Sequence, residues 1–348
     1  MAKRRKTYIW VPYVSKITVK PSSVKIAYKG GDLQAEWKEI HSIMFYGESV
    51  DFPQEFFEKC AFYKIPVIIH RRNMPRAVFV TPTLPPDQEN ILSRQIIFRE
   101  NKKKKAYIGK KLLQAKFKSM SWLAPVKRDI LYKICDVDEM IGIEAWHAKR
   151  YWESYFLKLG FESGRRENAE DNVVKKVLDA VSKFISGILL RWILYHNLSP
   201  YHGFLHKPTD YPSLVYDLME PYRGFFDKVV FDTIKQAKRQ EATEDSQLVA
   251  YAIENIKQFL DQEVYVESTR QIATFNEVLH GVVLALRVYL LGETRRFVVP
   301  MPSKPNGGRP INSGYRLYGH HAGITNFWPK TRKIAEDFEK KWLIAKFA

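Results

Sequence analysis

The chain has 348 residues, a length consistent with about two domains, and its 45% hydrophobic and 27% charged content allows a sizeable core and excludes global disorder. The 56 Lys and Arg against 38 Asp and Glu leave a net charge of +18, which attracts polyanions: nucleic acid first, an anionic membrane surface second. No stretch approaches the roughly 20 apolar residues of a bilayer span; the best run, Ile185 to Tyr195, is short and carries Arg191.

The first 80 residues alternate in the manner of strands. Lys16–Lys20 and Ser23–Ile26 repeat every second residue, and Gly30-Gly31 supplies a turn between such segments. Ile40–Phe45, Val67–His70 and Ala77–Val80 are further predicted strands, interrupted by a short helix over Gln54–Phe62. The three prolines of Thr81–Asp87 forbid regular structure and mark a boundary. Beyond it the apolar period lengthens to that of helices, predicted over Ser93–Met120, Val126–Cys135, Asp138–Leu159, Asn172–Tyr195, Ser213–Ala237, Asp245–Leu260 and Gln271–Leu291.

The expected fold is therefore α+β: a small N-terminal β domain over residues 1–86, then a larger all-α domain over residues 87–348 ending in a basic tail. Cys60 and Cys135 each fall in a predicted helix beside apolar residues and read as core thiols rather than a bridge. The basic residues 1–7 lack the apolar stretch of a secretory signal, so the expected location is the cytoplasm.

Charge is unevenly placed. Between Asn101 and Arg128 ten cations stand with no acid, Lys116 among them; Ile108, Leu112 and Ala115 can face a core while Lys103, Lys110, Lys111 and Lys118 project elsewhere. Solvated helix faces usually interleave both signs, so this pattern favours a track for a phosphate backbone, whose neutralisation releases counterions. A second acid-free stretch, Thr294–Ala335, sets Arg295, Arg296 and Arg316 among Tyr315, Tyr318, Phe327 and Trp328. Rings stack on bases while cations hold phosphates, which suits unpaired nucleic acid; the plainer alternative is a surface loop packed on the helices.

Three segments carry acids or imidazoles in suggestive places. Glu144 lies in line with Ala148, Tyr151, Tyr155 and Leu159, a largely apolar stripe on which a carboxylate needs a cationic partner, whether metal, Lys or Arg. His206 ends the irregular loop Leu198–His206. Ser213 can cap a following helix on which Asp217 and Glu220 are neighbours at i and i+3, and Pro221 should end or kink it there. Two acids so placed repel, and a divalent cation relieves this. Carboxylates with one histidine suit Mg²⁺ or Mn²⁺, the imidazole favouring Mn²⁺, and such an ion can polarise a phosphoryl oxygen. A solvent-facing acid pair and a loop histidine remain the plainer alternative.

Gly203-Phe204-Leu205-His206, followed by Asp217-Leu218-Met219-Glu220-Pro221-Tyr222-Arg223, resembles the central signature of the CRISPR-associated integrase family, in which the histidine precedes an acidic pair by eleven and fourteen residues. Gly142–Ala145 is similar to the family's upstream glutamate segment, and Glu39–Ile43 with Tyr63–Pro66 resembles its N-terminal domain. The likeness covers residues 7 to 300; it departs at Leu178–Ser182, where the family often shows an Asn-Tyr-Gly-Tyr-like stretch, and after Pro300. It implies a homodimer formed through the β domain, double-stranded DNA as spacer donor and CRISPR repeat target, and usually a small partner Cas protein. It also implies Glu144, His206 and Glu220 as ligands of a divalent metal, Asp217 beside them in the catalytic set, and Arg223 as a phosphate contact. The reaction expected is insertion of short DNA by attack of a 3′-hydroxyl, since no serine or cysteine is arranged as a covalent nucleophile.

Two other classes remain open at this level. A di-iron carboxylate oxidoreductase takes Glu-x-x-His pairs from two helices, and Glu144–His147 and Glu277–His280 are such pairs. A nucleic-acid scaffold without chemistry explains the basic tracts but leaves Glu144, Asp217 and Glu220 without a role.

Overall fold

The computed structural model describes residues 6–47, 51–71, 77–82, 87–126, 130–131, 133–161, 173–207, 209–239, 245–303 and 309–310. The N-terminal region is β-rich. Strands β1 (Thr7–Pro12), β5 (Ile40–Tyr46), β6 (Val67–His70) and β7 (Val78–Val80) form one sheet in that order, with β1 and β6 both parallel to β5 and β7 antiparallel to β6. Strands β2 (Val14–Val19), β3 (Ser23–Tyr28) and β4 (Gly31–Glu36) make an antiparallel meander. Helix α1 (Gln54–Phe62) joins both by burying Phe56 and Cys60 against Trp37, Ile43, Phe45 and Val24. The predicted strands and α1 appear where the sequence put them; β1 and β4 were not anticipated.

Every residue of β5 is buried, because the sheet is covered on both faces. Ile43 and Phe45 face the β core, whereas Met44 and Ile68 join the helical core. There β5 meets α5 (Val173–Tyr195), whose Arg191 explains the charge in the most apolar run of the chain. Its guanidinium is buried and donates to the carbonyls of His41 (2.6 Å), Lys64 (2.9 Å) and Ile40 (3.3 Å), so carbonyl dipoles from the β region neutralise it.

The helical region follows. The single helix predicted over Ser93–Met120 is two, α2 (Ile91–Glu100) and α3 (Lys102–Met120). The break falls at Asn101, whose extended backbone and side chain, accepting from the Lys104 amide at 3.0 Å, make it the N-cap of α3. Next come α4 (Val137–Lys158), α6 (Ser213–Met219), a 3₁₀ turn at Glu220–Tyr222, α7 (Arg223–Arg239) and α8 (Asp245–Asp261). Pro221 interrupts the predicted Ser213–Ala237 helix as expected, by the 3₁₀ turn rather than by a full stop.

Two predicted helices are corrected. Residues 133–135 of the expected Val126–Cys135 helix are irregular and Cys135 is exposed, so only Cys60 is a core thiol; burial pushes its pKa up to about 12. Residues 127–129 and 132 of that segment lie outside the described part, as do residues 83–86 of the expected boundary. Gln271–Thr274, assigned to the last helix, is instead strand β9, paired with β8 (Glu263–Val266). Helix α9 (Phe275–Leu290) starts only where Thr274 and Glu277 form a reciprocal capping box. Short strands β10 (Pro302–Ser303) and β11 (Arg309–Pro310) flank this hairpin. Among the described residues no helix is long and apolar enough to cross a membrane.

One close approach controls the site. Where α3 ends, it meets the start of α7 nearly backbone to backbone. The Gly224 amide donates to Ser119 Oγ at 3.2 Å, and a β-carbon on Gly224 would lie 2.3 Å from the Ser119 carbonyl oxygen. Only glycine permits that spacing. Gly224→Ala is therefore expected to lower stability by about 1–3 kcal/mol through overpacking, read as a lower denaturant midpoint; an unchanged midpoint would mean the helices separate freely.

Candidate active site

Helix α4 begins at Asp136, whose side chain caps it by accepting from the Asp138 and Glu139 amides, and its buried Tyr151 and Tyr155 fix which side faces inward. That orientation brings Glu144 towards α3. The cation it meets is Lys116, one of the ten cations of the acid-free stretch; its ammonium lies 2.5 Å from Glu144 Oε1 and also contacts Glu220 Oε2. The Lys116 side chain is only 8% exposed, so it belongs to the interior and not to the track.

Glu220 reaches the same ammonium from the 3₁₀ turn, where it is buried and sits 3.4 Å from Arg223. Burial by itself would raise the Glu220 pKa. Lys116 and then Arg223 outweigh that and hold it at about 2, so the group is ionised at neutral pH. Lys116 shows the reverse balance: burial lowers its pKa, but Glu220 and Glu144 leave it raised. Arg223 is likewise raised by Glu220 and Asp227 against the effect of burial.

His206 arrives from a loop held by three supporting elements, one from α2 and two, Ser213 and Asp217, from α6. From α2, buried Gln95 donates to the carbonyls of Ser199 (2.9 Å) and His202 (2.8 Å) and accepts from the Ser199 amide (2.8 Å). Arg99, one turn on, donates to the carbonyls of Gly203 (3.1 Å) and Lys207 (2.7 Å). Ser213 does not act as the helix cap expected of it. It is the first residue of α6, and its hydroxyl accepts from the Gly203 amide and donates to the Tyr201 carbonyl, both at 3.0 Å.

The third element is Asp217. Fully buried, it accepts from the amides of Phe204, Leu205 (2.9 Å) and His206 (3.1 Å), and its Oδ1 lies 2.7 Å from His206 Nδ1. The expected repulsion between Asp217 and Glu220 does not arise, because three amides and an imidazole satisfy one and Lys116 and Arg223 the other. Asp217 thus positions His206. Burial lowers the His206 pKa, but the hydrogen bond and charge of Asp217 raise it above the usual imidazole value.

Glu144, His206, Glu220, Lys116 and Arg223 line one pocket of about 250 Å³, together with Asp227, an acid the sequence reading missed. His206 also borders a second pocket, of about 520 Å³, walled by Phe79, Tyr201, Tyr211, Tyr216 and Lys183. Of the expected DNA contacts, Lys103 is exposed and Lys110 and Lys111 are half-buried along α3, with Lys111 beside the Tyr107 ring. Arg295 and Arg296 are exposed; Arg316 lies outside the described residues. Lys116 carried a readable signal, since it falls on the apolar stripe of Leu112, Leu113 and Met120. Gln95 and Arg99 carried none, because their partners are loop carbonyls.

The donor chemistry fits a divalent ion. A cation already rests between two carboxylates, and an imidazole tied through Nδ1 to a carboxylate keeps Nε2 as its donor nitrogen. With Lys116 between the carboxylates, no three His, Cys, Asp or Glu among the described residues are gathered tightly enough to hold an ion as they stand. The di-iron alternative fails on its second pair. Glu277 is engaged in the capping box of α9, and His280 stacks on Trp192 with its Nε2 2.7 Å from that of His196.

The family model of CRISPR associated protein Cas1 matches residues 9–263. The chain belongs to the Cas1 family. Among curated relatives, the CRISPR-associated endonuclease Cas1 1 of Francisella tularensis subsp. novicida is 31% identical over 127 residues, covering 35% of this chain and 39% of that protein. The CRISPR-associated endonuclease Cas1 of Korarchaeum cryptofilum is 32% identical over 112 residues, covering 29% and 33%. The chain thus matches well under half the length of these relatives. In fold it is similar to a casposase bound to integration product, with TM-score 0.72 and 18% identity over 88% of this chain and 96% of that one. A Cas1 protein from Thermotoga maritima has TM-score 0.66 and 16% identity over 86% and 99%. A chain of a Cas6-RT-Cas1–Cas2 complex has TM-score 0.69 and 13% identity over 87% and 37%.

Asp217→Asn in this Cas1 chain keeps the shape of the Asp217 anchor and removes its charge. The His206 pKa is expected to fall below its wild-type value, so the ring of the variant takes up its proton only at lower pH than the wild-type ring does. Titration of the His206 ring by NMR checks this, and an unmoved pKa would detach Asp217 from the imidazole.

Proposed function

We propose that this Cas1 chain is a metal-dependent DNA endonuclease and integrase that inserts short DNA into a CRISPR array. The observation that carries the reading is the gathering of Glu144, His206 and Glu220, from a helix, a loop and a 3₁₀ turn, onto one pocket. Those three side chains would hold Mg²⁺ or Mn²⁺, which when bound supplies Lewis-acid polarisation of a phosphoryl oxygen and assists deprotonation of an attacking hydroxyl.

The chain's own residues do the rest. Arg223 presents a fixed cation at the pocket wall, suited to a phosphate oxygen, while Asp217, Gln95 and Arg99 hold the His206 loop in register. Among the described residues the pocket wall includes no serine, threonine or cysteine, so the nucleophile comes from water or the substrate. The casposase bound to integration product supports integration; in this reading the attacking group is a DNA 3′-hydroxyl, positioned so that an encounter becomes an intramolecular step. The aromatic pocket across His206 suits an unpaired base at such an end. Assembly as a homodimer through the β region, with a small companion Cas protein, belongs to the same reading; the likeness to the Cas1–Cas2 complex chain supports the companion.

The deciding experiment incubates the protein with Mn²⁺, a repeat-bearing target and a labelled donor duplex ending in 3′-hydroxyl or 3′-dideoxy. Joining is expected only from the hydroxyl, without ATP, and is expected to vanish in Glu220→Ala while duplex binding persists. Joining from dideoxy ends, or full activity in Glu220→Ala, would overturn the reading.

The lysines of α3 make a separate expectation. Lys103, Lys110 and Lys111 changed together to Gln should weaken binding to all duplex sequences alike. The slope of log affinity against log salt should fall by up to about 0.9 for each phosphate no longer neutralised. Lys116 is omitted because it faces the pocket. An unchanged slope would make these lysines an ordinary solvated face.

A further inference from the structure

Lys116 is a buried cation in a place where the proposed function puts a metal, and nothing in that function uses it. Its ammonium contacts one oxygen of Glu144 and one of Glu220, and it stands on the buried face of α3 with Leu112, Leu113 and Met120. The Gly224 approach presses α3 onto the segment that carries Glu220, so the ammonium is delivered by the fold and not by a surface side chain finding a partner. Without it, two carboxylates would face one pocket with Arg223 beside them, and one of these, Glu220, is buried.

We infer that Lys116 is the resident counter-cation of the Glu144–Glu220 pair and sets the affinity of this Cas1 chain for divalent metal by competing with it for the same two carboxylates. The inference rests on the metal assignment of Glu144, His206 and Glu220 proposed above. The physical argument is direct. Mg²⁺ binds its oxygen ligands at about 2.0–2.1 Å. An ammonium in hydrogen-bonding contact with the same oxygens would stand close to that ion, and two cations at such a distance repel strongly in a site with little water. One must leave. The incoming ion attracts Glu144 and Glu220 and repels the ammonium, so the group displaced is Lys116, whose four-carbon stem has the rotatable bonds to withdraw it. Metal binding therefore carries the cost of breaking two ion pairs, and the metal-free site is kept intact at the expense of affinity.

Mn²⁺ binding to the full chain tests this, measured without DNA and without turnover through the loss of the free Mn²⁺ EPR signal. Lys116→Met keeps the stem and removes the charge; Lys116→Arg keeps the charge. The Met variant is expected to bind Mn²⁺ at least about tenfold more tightly than wild type, the scale on which groups next to metal ligands tune affinity. The Arg variant is expected to bind no more tightly than wild type. Should the Met variant be unstable without metal, its melting temperature must rise more on adding Mn²⁺ than wild type's does, because a ligand that binds more tightly stabilises the folded state more. Equal or weaker binding by the Met variant, with wild type binding normally, overturns the inference alone. Binding by neither protein overturns the metal assignment and this inference with it.

Discussion

A single ammonium between two carboxylates is the interaction on which the organisation of this molecule turns. Lys116, Glu144 and Glu220 come from α3, α4 and the turn before α7, so their contact ties three segments of the helical region into one wall. Each is costly to bury alone. Together they are mutually satisfying, and the net effect on Glu220, a pKa of about 2 despite burial, shows that attraction outweighs desolvation there. The packing that enforces the contact is equally specific, since the helix crossing at Gly224 leaves no room for a β-carbon.

The loop carrying His206 depends on a second arrangement of the same kind, with the signs reversed. Asp217 is an anion surrounded by backbone amides, and the amides belong to three successive residues, Phe204, Leu205 and His206. Irregular backbone inside a protein must have its polar groups accounted for, and here one carboxylate, one amide side chain, one guanidinium and one hydroxyl contribute to that. The result is an imidazole on a loop that is as well supported as one on a helix. It stands at the border of two pockets, one lined by acids and cations, the other by aromatic rings.

The junction of the two regions follows the same rule of buried charge answered by dipoles. Arg191 of α5 reaches the carbonyls of His41 and Lys64, and β5 contributes Met44 to the helical core while its alternate residues complete the β core. Membership of the Cas1 family, shown by the match over residues 9–263, spans this junction, so the joint between sheet and helices lies inside the matched segment.

The amino-acid sequence alone determined the elements whose signal is local. Alternation over Lys16–Lys20 and Ser23–Ile26 and helical periodicity over Asp138–Leu159 and Asn172–Tyr195 each report which side of a segment is apolar, and the spacing of His206, Asp217 and Glu220 is simply written in the chain. Where a local signal was overridden, a nearby group did it: Asn101 split one helix by capping the next, and Gln271–Thr274 became a strand because Glu263–Val266 lay ready to pair with it. What only the tertiary structure decided is which charges meet. Periodicity can say that Lys116 and Glu144 both fall on inward-facing stripes, but not that the two stripes face each other. Nor can it say that Asp217 turns to the loop amides while Glu220, three residues on, turns to Lys116. Those choices depend on the approach of α3 to α7 and on the path of the loop over α2, distances set by contacts between residues far apart in the chain, and no pattern within a single segment encodes them.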